Sequence, residues 1–148
     1  MRARRVPIVL ALLAILPLDP GVARSFPPFI VGFAPGDAKI GQAEQRVIAA
    51  AVNSYRDAQP DAALRVGGHA DRVGSEEFNQ RLSCARAEAV RTALMASRVP
   101  AGRIILEGYG EQRPSSDTTD GVAHPANRRV EIELIPWPAQ IYRAGPCR

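Results

Sequence analysis

The stretch from Ala63 to Ser97 limits the fold more than any other part of the sequence. It opens on ALRVGGH (63–69), where Leu64 and Val66 alternate with Arg65. A period of two is the mark of a half-buried strand. Ser75 then precedes Glu76 and Glu77, a hydroxyl cap followed by acids that suit the positive end of a helix dipole. This helix is predicted to run to about Ser97, ahead of Pro100. Its expected apolar stripe is Phe78, Leu82, Ala85, Ala89 and Ala93, with Cys84 turned outward and Asn79, Ser83, Arg86 and Val90 on a neighbouring face. A strand leading straight into a long amphipathic helix must bury that helix on a sheet.

The flanking segments extend the pattern. FIVGF (29–33) is a strand candidate, and Gln42–Ala58 is a predicted helix with Val47, Ala51 and Tyr55 four residues apart. IILEGY (104–109) predicts a third strand. Gly110 to Pro125 is a polar loop, and Arg128–Leu134 is a fourth strand with Val130, Ile132 and Leu134 on one face. The order βαβαββ predicts an α+β two-layer sandwich: a mixed four-stranded sheet with two main helices packed on one face. At 148 residues one domain is expected, since domains run to roughly 100–200 residues.

The ends read differently. Arg2, Arg4 and Arg5 precede an apolar run from Val6 to Leu18, then small residues that suit cleavage after Ala23 or Ser25. This is the order of a secretory signal, predicted over residues 1–25. The run is shorter than the roughly 20 residues of a membrane-spanning helix. The domain is expected over 26–135 and a Pro-containing tail over 136–148. The net charge of +4 and pI near 9.7 suggest an anionic partner. However, residues from Phe26 onward carry 15 basic against 14 acidic groups, so no nucleic-acid surface and no transmembrane segment is expected in the mature chain. Export favours pairing the two cysteines, Cys84 and Cys147, which would staple the tail to the helix. Two unpaired thiols are the alternative, and neither cysteine has a second metal ligand at a usual spacing.

Asp71 lies at the end of the second strand, beside the helix that carries Asn79 and Arg86. An acid and an arginine held apart at one pocket could grip a ligand bearing both an ammonium and a carboxylate. Equally, the two could form an internal ion pair that orders the turn. A catalytic set of His69, Asp71 and Ser83 is disfavoured, because no nucleophile-elbow or metal-ligand motif accompanies it. His69 is expected to make a backbone bond and His124 to sit in a loop.

The residues GHADRVGSEEFNQRLSCARAEAVRTAL (68–94) resemble the signature of the OmpA-like peptidoglycan-binding domain. Asp71, Gly74, Asn79, Leu82-Ser83 and Arg86-Ala87 stand at that family's spacing, followed by Gly108-Tyr109-Gly110-Glu111, Pro114 and Asn127-Arg128-Arg129-Val130. The likeness covers about residues 33–134. It implies a non-catalytic module, without cofactor or metal, that binds the meso-diaminopimelate of peptidoglycan stem peptides. Asp71 would then receive the ammonium and Arg86 the carboxylate, with Asn79, Leu82 and Arg128 lining the pocket. Such a module would be periplasmic and wall-bound, with an outer-membrane or other envelope protein as a further partner. Three departures bear on affinity: Ala70 replaces the usual threonine, Ala34 stands where many members have aspartate, and the loop from Thr119 to Asn127 differs. A scaffold of the same fold with weak or lost peptidoglycan binding is the alternative function.

Overall fold

The computed structural model describes residues 27–138 and Cys147. The predicted leader, residues 1–25, and residues 139–146 and 148 of the predicted tail lie outside the described residues. The elements run β1 (Phe29–Gly32), α1 (Gln42–Asp57), β2 (Ala62–Gly68), α2 (Glu76–Ala96), β3 (Ile104–Gly108) and β4 (Arg129–Pro136), with short 3-10 turns at Ala101–Arg103 and Pro125–Asn127. The sheet order is β1-β4-β2-β3. β4 is antiparallel to both β1 and β2, and β2 is parallel to β3. The result is the expected two-layer α+β arrangement, with two helices and a mixed four-stranded sheet.

Alternation in the strands sets the layers. Val66 pairs with Ile132 and Gly68 with Val130, and Val66, Ile132 and Val130 are fully buried under the helices. Arg65 pairs in register with Glu133 and makes an ion pair with it on the opposite face. Helix α1 contributes Ile48, Ala51, Val52 and Tyr55 to the core, so its predicted stripe holds with Val47 at the margin. Each helix begins and ends within one residue of its predicted limits.

Helix α2 corrects the sequence reading in its rotation. Ser75 caps it as expected, accepting from Phe78 N–H at 3.2 Å. The buried face, however, is Asn79, Ser83, Arg86, Ala87, Val90 and Leu94, not the predicted stripe. Phe78 is 42% exposed, Ala85 is exposed, and Leu82, Ala89 and Ala93 are half-buried. The reason is local: the first half of this face meets polar strand ends and loops, while Ala87, Val90 and Leu94 in its second half belong to the apolar core. The same rotation leaves Cys84 half-buried rather than outward.

Two glycines let the helix seat there. A Cβ on Gly68 would collide with the backbone carbonyl of Ser83, so β2 and α2 approach as only glycine allows. Gly74 has φ of +99° in the turn that aims the chain into the Ser75 cap. Cys84 and Cys147 form a disulfide across 63 residues. The expected staple between α2 and the chain's end is therefore present.

Candidate functional site

The polar face of α2 and the C-terminal end of β2 together build a cluster of buried charge. Asp71 lies three residues beyond Gly68, the last residue of β2, and is 6% exposed; Arg128 immediately precedes β4 and is 9% exposed. The two form an ion pair, Arg128 Nη1 to Asp71 Oδ2, at 3.1 Å. Arg128 Nε also donates to the Phe33 carbonyl at 3.1 Å. The carboxylate therefore pairs with Arg128 and not with Arg86, which removes the internal Asp71–Arg86 bond as the group ordering the turn.

Arg86 is fully buried. Its Nε donates to the Asp37 carbonyl at 2.9 Å, Nη1 to the His69 carbonyl at 2.9 Å and Nη2 to the Ala34 carbonyl at 3.1 Å. One guanidinium thus ties α2 to the end of β2 and to the loop between β1 and α1. Asp37 shapes that loop by accepting the N–H groups of Ala38 and Lys39 on Oδ1. Burial lowers the Arg86 pKa, as does the charge of Arg128, while Asp71 and Asp37 oppose the fall. Of the five N–H donors of a guanidinium, three are accounted for by these carbonyls.

The remaining predicted residues take distinct places. Asn79 is fully buried and donates from Nδ2 to Glu111 Oε2 at 2.6 Å. Leu82 is half-buried on the same helix. Ser83 Oγ donates to the Gln80 carbonyl at 2.8 Å and accepts from Gly110 N–H at 2.9 Å. His69 faces the other side of the sheet, its ring 5.1 Å from that of Tyr109 and Nε2 3.8 Å from Glu131. Its main-chain N–H donates to the Arg129 carbonyl, as expected of a strand-end residue, but neither ring nitrogen has a hydrogen-bond partner among the described residues. His69, Asp71 and Ser83 therefore do not assemble into a nucleophile and base. Asp71 lies beyond the end of β2, on Arg128, away from the His69 ring. His124 is the expected loop residue, capping the turn at Pro125–Asn127 through Nδ1.

Sequence reasoning missed the bonds of four participants. Glu111 holds Asn79. The carbonyls of Ala34 and Asp37 hold Arg86, so Ala34 contributes through its main chain. Asn127, fully buried, accepts the N–H groups of Ser115 and Ser116 and donates back to the Ser116 carbonyl. The Glu111 and Asn127 positions were legible as part of the quoted motifs, though their bonds were not. No group of three or more His, Cys, Asp or Glu that could hold a metal occurs among the described residues.

This architecture has a known class. The OmpA family model matches residues 32–128, and the chain belongs to the OmpA family. It is 40% identical over 92 residues to outer membrane porin F of Pseudomonas aeruginosa, a match spanning 55% of this chain and 26% of that protein. It is 36% identical over 78 residues to the peptidoglycan-associated lipoprotein of Legionella pneumophila, spanning 53% of this chain and 44% of the relative. The chain thus covers less than half the length of these relatives. Among solved structures, the peptidoglycan-associated lipoprotein of Burkholderia pseudomallei superposes with a TM-score of 0.66 at 24% identity, over 72% of this chain and 89% of that one. That likeness concerns the fold.

Proposed function

We propose that this chain binds peptidoglycan without catalysis, through the meso-diaminopimelate of the stem peptide, and so anchors or organises the cell envelope. The observation that carries the reading is the buried Asp71–Arg128 ion pair with Arg86 behind it. Opening a buried pair leaves uncompensated charge, which is strongly unfavourable. A ligand with an ammonium and a carboxylate on one carbon avoids that cost. Its ammonium takes over Asp71 while its carboxylate takes over Arg128, so each charge keeps a partner. Charge-assisted bonds of this kind, with an arginine fork on a carboxylate, are the strong ones.

Arg86 contributes its remaining donors to the same carboxylate. Because the residue is fully buried, this contact requires the loop at Ala34–Asp37 to yield. Asn79 and Leu82 complete the pocket wall. Family membership and the peptidoglycan-associated relatives support the ligand class. They also support a non-enzymatic role in the cell envelope; a wall-bound place in the periplasm, with an outer-membrane or envelope protein as a further partner, completes the proposal. The full burial of Arg86 and Asn79 favours a second reading, a scaffold of the same fold with weak or lost wall binding.

Sacculi of two chemotypes test the proposal. Purified protein should cosediment with sacculi carrying meso-diaminopimelate at the third stem position, and much less with sacculi carrying lysine there, which lacks the second carboxylate. Equal sedimentation with both would refute the diaminopimelate assignment, and sedimentation with neither would favour the scaffold. Muropeptides released into the supernatant would contradict the non-catalytic role.

A further inference from the structure

Glu111 is an acid that the binding reading leaves without a task. It follows Gly110, whose N–H donates to Ser83 Oγ at 2.9 Å and whose carbonyl accepts from Ala70 N–H at 2.8 Å. Residue 111 is therefore held both to the strand end that carries Asp71 and to the buried face of α2. Asn79, one turn before Ser83 on that face, reaches Glu111 Oε2 through Nδ2 at 2.6 Å.

Two features set this pair apart. Asn79 is fully buried, yet its Oδ1 has no hydrogen-bond partner among the described residues. An amide that gives its NH2 group to a carboxylate must turn its oxygen elsewhere, and a buried acceptor left unpaired calls for a donor. Secondly, Arg128 neutralises Asp71, whereas Glu111 is half-buried and takes part in none of the ion pairs among the described residues. It accepts instead from the neutral Asn79 amide.

We propose that Glu111 is a second carboxylate of the binding site, positioned by Asn79, and that it receives the ammonium of the bound peptide side chain together with the Asn79 amide oxygen. The inference rests on the peptidoglycan reading and deepens it. Asp71 alone would have to leave Arg128 in order to take an ammonium; Glu111 offers a negative charge that no arginine has claimed. Bringing an ammonium to this point satisfies both the unpaired amide oxygen and the unmatched carboxylate.

Titration calorimetry with free meso-diaminopimelate tests it. Glu111→Gln keeps an oxygen for Asn79 Nδ2 and removes the charge, so the tether survives and the ammonium contact weakens. The variant should bind about 10-fold more weakly or worse, the scale of one charged hydrogen bond. Its affinity should also depend less on salt, a change that loss of a tether alone would not produce. On the unmodified protein, the side-chain carboxyl carbon of Glu111 should shift in the NMR spectrum as ligand is added, a readout that does not depend on the variant folding. Wild-type binding together with unaltered affinity in Glu111→Gln, or an unmoved Glu111 carboxyl signal at saturation, overturns this inference alone. No binding by the wild type overturns the peptidoglycan reading with it.

Discussion

Arg86 and His69 are both fully or nearly fully buried polar side chains, and they answer burial in opposite ways. Arg86 keeps its charge by giving N–H groups to three carbonyls, those of Ala34, Asp37 and His69. Lysine has a point charge on a single nitrogen and cannot span them. Arg86→Lys is therefore expected to lower stability by at least about 2 kcal/mol in urea unfolding, because buried carbonyls lose their donors. Equal midpoints would show that the guanidinium fork is dispensable. His69, 2% exposed, instead gives up its charge. Burial, reinforced by Arg129 and opposed by Glu131, pushes its pKa down to about 4. In the unfolded chain the group titrates near 6.5, so between those two values the unfolded state binds more protons. Stability must then fall as the pH drops from about 6.5 towards 4, by up to about 3 kcal/mol from this group. His69→Gln carries no titrating group at the position. Its unfolding free energy should decline less over the same window, and an identical decline would assign the acid sensitivity elsewhere.

At the scale of elements, the seat of α2 on β2 decides the geometry of the site. Gly68 has no room for a side chain because its Cβ would run into the Ser83 carbonyl, whereas Gly102 has open space around it. Gly68→Ala is expected to destabilise by about 1–3 kcal/mol, the usual cost of overpacking, and to move α2 off the strand end. Gly102→Ala is the matched control and should leave the thermal midpoint nearly unchanged. Elements and their order were legible in the sequence because each local signal agrees with the others: alternation at Leu64 and Val66, the Ser75 cap, and glycine at the turn. The rotation of α2 was not legible. Counting apolar residues selects Phe78 and Ala85, yet Asn79, Ser83 and Arg86 lie inward because Glu111, Gly110 and three carbonyls meet them there. Those partners come from distant parts of the chain. The Asp71–Arg128 pair likewise spans 57 residues, so spacing within the helix pointed to Arg86 as the partner. Family resemblance supplied Arg128 as a member of the site, but not as the group that holds Asp71.

For the whole molecule, the disulfide ties the chain's end to the helix that carries the site. Cys84 and Cys147 lie 63 residues apart, and closing a loop of that length removes about 4 kcal/mol of unfolded-state entropy in the chain-entropy model. Adding a reductant should lower the thermal midpoint of the wild type and leave a Cys84→Ala, Cys147→Ala double variant unmoved. A wild-type midpoint indifferent to reductant would mean that the bond adds little to stability. The same scale holds the central claim, that the charged cluster at the end of β2 is a wall-binding site. Its most direct test is cosedimentation of wild type and Asp71→Asn with diaminopimelate-type sacculi, after circular dichroism has shown both to be folded. The wild type should appear in the pellet and Asp71→Asn should remain in the supernatant. Retention of a folded Asp71→Asn to the same extent as the wild type would contradict the account.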